Sequence, residues 1–448
     1  MLLRFGVANH RSIRDYQELL LTASKRIQKE RLTTPVDVLG EAAVPVAALY
    51  GANASGKSNI LEAMAEMQRL VVTSHKGADA TDRIPRHPFA LDDESAAKPT
   101  QFDCTFTLGN GDASGDAEEV YDYGFQVTDT EVVREWLHRT VRQTRTSTHR
   151  LFERETSDGE VQIDFGPQLR GENAAIRGFT RANSLFLSAA AQNNHPQLTP
   201  IQEWLASNWR CVREAVPLAP AAAANAIASC THAEQLGELL AQADAGIGGV
   251  MVVQEIDADS LAETAAGALR DIFTELKEDA PTGQLAAVFA NFAASLEGKR
   301  LNLQHCTSLG LRPLPYESES RGTRMLLSLL VPAFDALAKG SVLVVDELDS
   351  SLHPNLARAF LSLFETPESN PAHAQLIFST HDVALLGSGL LANDEIWITE
   401  KNRDGASTFT PLTDFRIRSR VDVEMAYRNG RFGGTPNLQN FLLEAGRS

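Results

Sequence analysis

Eight residues, Gly51-Ala52-Asn53-Ala54-Ser55-Gly56-Lys57-Ser58, leave this chain few folds to choose from. They match GxxxxGK[ST] in full, follow the apolar run Val44 to Tyr50, and open a stretch from Ser58 to Val72 with helical periodicity. Strand, glycine-rich turn and helix in that order build a phosphate-binding loop. The glycines let backbone N–H groups wrap a β-phosphate, and the helix N-terminus adds positive potential. Asn53, Ala54, Ser55, Gly56 and Asn59 are then cradle residues, Lys57 reaches the β- and γ-phosphates, and the Ser58 hydroxyl ligates Mg²⁺. ATP and Mg²⁺ are the expected ligands.

A second apolar run, Val342 to Val345, ends in Asp346-Glu347. A buried strand that delivers acids at its C-terminal end puts them where an open α/β sheet carries its ligand chemistry. Asp346 is expected to hold Mg²⁺ through water and Glu347 to polarise the attacking water as general base. Taken alone, an apolar run ending in two acids is equally a structural feature; Lys57 is what gives it meaning. His381, in Ser379-Thr380-His381 after the apolar Gln375 to Phe378, can hydrogen-bond a γ-phosphate and orient Glu347. Ser320 and Gly322 precede an amphipathic helix carrying Met325, Leu326, Leu329 and Leu330. By themselves they read as a helix cap. As a second anion-binding device they make sense if they close over a γ-phosphate held by another subunit.

Around these motifs the chain, of 448 residues, is too long for one core. Strands are expected at 2–8 and 16–22, with Asn9-His10-Arg11-Ser12 turning between them. From about 84 to 165 the pattern is of short β segments, with a hairpin loop from Gly109 to Glu119. From about 170 to 300 it is Ala- and Leu-rich and mostly helical, broken at Pro217, Pro220 and Pro281. After 306 a helix near 323–338, a strand at 342–346, a helix at 354–365, a strand at 375–379, a helix at 382–388 and a strand at 394–399 are expected. The expected architecture is an α/β P-loop NTPase with an N-terminal ATPase lobe and β-rich subdomain (1–168), an inserted mainly helical region (169–300) and a C-terminal ATPase lobe (301–448).

The order of Walker A, signature, Walker B with adjoining Glu, D-loop and switch His resembles the ABC-type ATPase head of the SMC and OLD branches. Asp346-Glu347-Leu348-Asp349-Ser350-Ser351-Leu352-His353-Pro354 looks like that branch's Walker B and D-loop, which makes Asp349 a nucleotide-site residue. Leu3-Arg4-Phe5 with Asn9-His10-Arg11-Ser12 is similar to its first strand and turn, which implies that Arg11 lies near the nucleotide. The loop Gly51 to Asn59, the stretch Ser320-Arg321-Gly322-Thr323-Arg324 and the tail Gly430-Arg431-Phe432-Gly433-Gly434-Thr435-Pro436 look like the RloA/AbiL group of stand-alone ATPases associated with bacterial anti-phage defence. The resemblance covers both ends of the chain well and 170–300 only loosely. Two features depart from it. A Q-loop glutamine is not assigned, Gln101 being nearest but at the start of a strand. The TOPRIM nuclease of OLD proteins is not matched by the 67 residues after His381.

The resemblance implies an ATP-bridged homodimer, or a higher homo-oligomer, controlling a separate effector such as a nuclease or toxin. The rival reading is a DNA-repair or DNA-maintenance ATPase that clamps DNA. A formal net charge of −17 disfavours nucleic acid except at a local patch. Arg134, Arg139, Arg142, Arg145, Arg150 and Arg154 could form one, or a solvated strand face interleaved with Glu131, Glu135, Glu153 and Glu155, which is the reading preferred. Arg416, Arg418 and Arg420 carry the same ambiguity, and Trp204, Trp209 and Phe289 read as core rather than a stacking surface. Four scattered cysteines suit a reducing cytoplasm, and no apolar run is long enough for a membrane span.

Overall fold

Short, largely apolar runs of four or five residues suit strands buried on both faces, and Val46–Tyr50, Val342–Val345 and Gln375–Ser379 are strands buried throughout. They lie side by side at the centre of a six-stranded sheet. Its order is Trp209–Val212, Val342–Val345, Gln375–Ser379, Val46–Tyr50, Ile396–Lys401 and Ser407–Pro411. All pairs are parallel except the last. The computed structural model describes residues 1–23, 32–76, 79, 81–108, 119–142, 144–157, 159–212, 217–230, 233–243, 246–254, 298–350, 352–415 and 422–435.

The helix Lys57–Thr73 buries Ile60, Leu61, Met64, Met67, Leu70 and Val71, one stripe at helical spacing. Beyond it stands a seven-stranded antiparallel sheet in the order Glu160–Phe165, Thr146–Ser157, Val132–Arg142, Glu119–Val127, Thr100–Leu108, Leu2–Ala8, Gln17–Leu20. Alternate residues Phe102, Cys104 and Phe106 join Tyr123, Phe125, Leu137 and Phe152 in a core that continues through the helix to Ala47, Leu49 and Ile377 of the parallel sheet. Inside this core Glu135 and Arg154 are fully buried, 3.5 Å apart. Glu135 also accepts from the N–H groups of Phe186 (2.6 Å) and Leu187 (3.0 Å) and from the Tyr123 hydroxyl (3.0 Å). Arg154 donates to the carbonyls of Arg181, Ala182 and Ser184. Every lone pair and proton of the pair has a use, the condition under which a buried ion pair persists.

The chain divides into two compact units, residues 1–214, 336–349 and 357–448 in the first and residues 215–335 and 350–356 in the second. The expected helical region from 169 is therefore shared between them. Its helices Asn173–Phe179, Phe186–Gln192 and Thr199–Ser207 belong to the first unit and lead into Trp209–Val212, an edge strand of the parallel sheet. In the second unit the helices Pro220–Ser229 and Ala233–Ala243 pack on a three-stranded antiparallel sheet, Ile247–Gln254, Lys299–Thr307 and Gly310–Pro315; helix was expected where Ile247–Gln254 is strand, and the rest of that expected helical stretch, 255–297, lies outside the described residues. Of the β segments expected between 84 and 165, Glu131 to Val141 is found as Val132–Arg142, while those at Phe102 to Phe106 and Tyr121 to Val127 extend to Thr100–Leu108 and Glu119–Val127. The helix expected at 382–388 is one 3-10 turn, Val383–Leu385, capped by Asp382 and followed by Gly387 and Gly389. Residues 109–118 of the expected hairpin loop, Pro281, Phe289, Pro436 and the basic run Arg416, Arg418 and Arg420 lie outside the described residues. Among the described residues no helix is long and apolar enough to cross a membrane.

Candidate active site

The phosphate loop is shaped by what presses on it. Gly56 has φ 114 and Ala54 φ 60, so the chain turns through the left-handed region twice before the helix begins. A Cβ on Gly51 would overlap the Thr399 carbonyl, and one on Gly56 would overlap the Ser407 hydroxyl. Ser407 is a brace that sequence reasoning missed. Its hydroxyl donates to the Ser55 carbonyl (2.6 Å) and shares a hydrogen bond with Ser12 (2.7 Å), while its N–H donates to the Ser12 carbonyl (2.7 Å). The Asn59 side chain donates to the same Ser12 hydroxyl, so the N-terminal turn, the loop and the last strand of the sheet are tied at one point.

No side chain caps the helix that starts at Lys57, which leaves its N-terminus as an anion seat. The Ser55 hydroxyl, 4% exposed, has no hydrogen-bond partner among the described residues. Lys57 Nζ rests on the loop's own carbonyls, Gly51 at 2.9 Å and Ala52 at 3.2 Å. Burial lowers its pKa, while Asp346, Glu347 and Asp349 pull it back up. A partly desolvated ammonium held by carbonyls is poised to exchange them for phosphate oxygens.

The acids converge from the strands on the other side of Val46–Tyr50. Ser379, at the end of its strand, donates its hydroxyl to Asp346 Oδ1 and accepts the Glu347 N–H at 2.8 Å. Glu347 itself has φ 52, a conformation an L-residue adopts only when its surroundings hold it. In the single 3-10 turn Leu348–Ser350 that follows the acids, Asp349 takes the His381 N–H on both carboxylate oxygens at 3.1 Å. Partial desolvation of a ring whose residue is otherwise exposed, and then the Lys57 charge, lower the His381 pKa; Asp349, Glu347 and Asp346 oppose them. Lys57, Asp346, Glu347, Asp349 and His381 are thus within electrostatic reach of one another. Ser58 follows Lys57 on the helix and, with Asp346, offers hard oxygen donors of the kind Mg²⁺ selects.

The remaining expected residues are placed as follows. Arg11, φ 51, donates its N–H to the His87 carbonyl (2.6 Å), and its guanidinium pairs with Glu62 on the helix after the loop. Asn53 and Ala54 are exposed on the loop. Ser320, in the second unit, accepts the Thr323 N–H at 3.1 Å and bonds its hydroxyl at 2.8 Å, which is the helix-cap geometry, and Gly322 beside it is exposed. Gln101 lies inside the strand Thr100–Leu108, donating to Asp103 (2.9 Å) and accepting from Gln126 (2.8 Å). Of the six clustered arginines, Arg154 is buried, Arg139 pairs with Glu119 (3.1 Å), Arg150 with Glu153 (3.6 Å), and Arg134 lies over the Trp136 ring. Arg139 and Arg150 fit the interleaved strand face, Arg154 and Glu135 belong instead to the core, and Arg142 and Arg145 are exposed, Arg142 donating to the Asp37 carbonyl (2.6 Å).

A parallel sheet whose central strand feeds a glycine loop and an uncapped helix, with two acids on a nearby strand end, defines an α/β P-loop NTPase. Comparison with known proteins gives the family. Residues 46–387 match the model described as "AAA domain, putative AbiEii toxin, Type IV TA system", and the chain belongs to that family of AAA-type ATPases. Among solved structures the chain is similar to the Smc head domain with a coiled coil and joint from Pyrococcus yayanosii, at 12% identity over 96% of this chain and 99% of that one, with a TM-score of 0.34. No curated protein matches it.

Proposed function

We propose that the protein binds and hydrolyses ATP at this site, and that ATP joins two copies of the chain into a dimer that acts as a sensor or scaffold for a separate effector in anti-phage defence. The observation that carries the catalytic part is the convergence of Lys57, Asp346, Glu347, Asp349 and His381 beside an uncapped helix N-terminus. Lys57 leaves its carbonyls for the β- and γ-phosphates. Ser58 and Asp346 would hold Mg²⁺, which would supply positive charge against the phosphate oxygens. Glu347 accepts a proton from the attacking water, oriented by the Ser379 bond to its N–H. His381, its N–H anchored on Asp349, hydrogen-bonds the γ-phosphate. Ser320 and Gly322 reach the nucleotide of the other copy. ATP then contributes association energy that hydrolysis removes, an order-changing switch.

The resemblance of the loop, signature and tail to the RloA/AbiL group supports the defence role, and that step is analogy. The partly paired arginine face and the net charge of −17 favour a protein partner over a DNA clamp. The test is recovery of tagged protein expressed from its native gene neighbourhood, with and without ATP, followed by mass spectrometry and nucleic-acid staining. A stoichiometric protein encoded nearby is the expected result. Nuclease-sensitive DNA without a protein partner overturns the sensor reading.

A further inference from the structure

The C-terminal segment of the first unit returns to the phosphate loop in a way that none of the site roles above explains. After the helix Val423–Arg428 the chain runs through Gly430, Gly433 and Gly434, all at positive φ. Gly434 is pinned at both ends of its backbone: its N–H donates to Glu400 Oε1 at 2.7 Å, and its carbonyl accepts the Tyr427 hydroxyl at 2.9 Å. There is no room for a side chain at this point. A Cβ on Gly434 would lie 2.9 Å from Ile398 Cγ2 and 3.4 Å from the Cα of Gly51, the first glycine of the loop, and one on Gly433 would overlap the Glu400 carboxylate.

A second contact reaches the other flank. The Tyr427 ring meets the ring of Tyr50, the residue before Gly51, edge to face with centroids 5.9 Å apart. Tyr50 is fully buried, and its hydroxyl, without a hydrogen-bond partner among the described residues, feels the charges of Asp382 and Asp349. Those acids flank His381, one beside it in sequence and the other bonded to its N–H. Burial, with Glu400 adding, pushes the Tyr427 pKa up to about 12, so the phenol remains a donor throughout the neutral range.

We propose that Glu400, Tyr427 and Gly434 are positioning residues of the ATP site, a strap that holds Gly51 and Tyr50 and so sets the geometry of the phosphate cradle. This inference rests on the ATP reading of the site. The strap touches no phosphate itself. It removes slack from the loop before ATP arrives, so its loss shows as weaker nucleotide affinity rather than slower chemistry.

The test uses the full chain, with KM and kcat for ATP and the melting temperature with and without ATP-Mg²⁺. Glu400→Ala and Tyr427→Phe each delete one hydrogen bond, and each is expected to raise KM about three- to tenfold, with kcat within about twofold of wild type. Glu400→Gln keeps an acceptor for the Gly434 N–H and is expected to restore KM. The nucleotide-induced rise in melting temperature shrinks in the two deletions while the nucleotide-free value is held. An unchanged KM in both deletions overturns the proposal, as does a fall in nucleotide-free stability that Glu400→Gln fails to repair. If wild-type protein neither binds nor hydrolyses ATP, the ATP reading itself is overturned and the strap with it.

Discussion

Removing the Ser379 hydroxyl is the sharpest perturbation of the catalytic geometry, because one oxygen serves both acids. It accepts the Glu347 N–H at 2.8 Å and donates to Asp346. Glu347 at φ 52 carries backbone strain of roughly 1–2 kcal/mol relative to ordinary regions. The N–H bond offsets about 1 kcal/mol of it, and the bond to the Asp346 carboxylate is worth about 1.5–3 kcal/mol. In Ser379→Ala both are lost; Ser379 itself is fully buried, so no other side chain takes its place, Glu347 leaves its productive orientation and Asp346 loosens. Transmitted to the transition state, roughly 2.7 kcal/mol is about a hundredfold in kcat. Steady-state phosphate release measures this, with ATP affinity measured separately by equilibrium titration. Affinity for ATP measured without Mg²⁺ stays within a few-fold, since Lys57 and the loop are untouched. The double variant with Glu347→Gln is expected to be little slower than Glu347→Gln alone, because the acid being positioned is already gone. A Ser379→Ala protein with wild-type kcat, or effects that multiply independently in the double variant, refutes the reasoning.

Three further outcomes follow from the same structure. His381 is held below the ordinary histidine value by partial desolvation and Lys57, so it is neutral at neutral pH and gains a proton only as pH falls; kcat is flat from about pH 7 to 8 and falls below about pH 6.5, and a kcat that climbs on acidification contradicts it. Glu135→Ala strands Arg154 in the core and lowers stability by about 3–5 kcal/mol, read as a shift of the denaturant midpoint; a shift under about 1 kcal/mol means the pair is not buried in solution. Ser320→Arg leaves ATP binding to the monomer intact and abolishes ATP-dependent association, and loss of binding to the monomer removes Ser320 from the opposing subunit.

What could be read from sequence was what is local or uniform. The phosphate loop is contiguous, and Val342–Val345 and Gln375–Ser379 are buried on both faces and apolar through their middles, so motif and run length sufficed for them. Trp209–Val212 escaped because four residues, one of them the exposed Arg210 of an edge strand, carry no period against an Ala- and Leu-rich background. Ile247–Gln254 was hidden by Gly248 and Gly249 in the same background. The braces escaped for a different reason. Ser407 acts on Ser55 across 352 positions, and Ser379 acts on acids about 32 positions upstream, so only the assembled sheet brings them together. Arg154 looked like one more member of a basic strand face, and its buried partner Glu135 stands on the neighbouring strand, opposite in register. The expected helix at 382–388 gave way to a single turn because Asp382 caps it and Gly387 and Gly389 stop it.

The most direct test of the account is the solution mass of Glu347→Gln with and without ATP-Mg²⁺, by light scattering on a sizing column. ATP bound but not hydrolysed should hold two copies together, doubling the mass, while the wild type reverts as its ATP is consumed. An identical mass in both conditions, with ATP shown to be bound, contradicts the nucleotide-bridged switch.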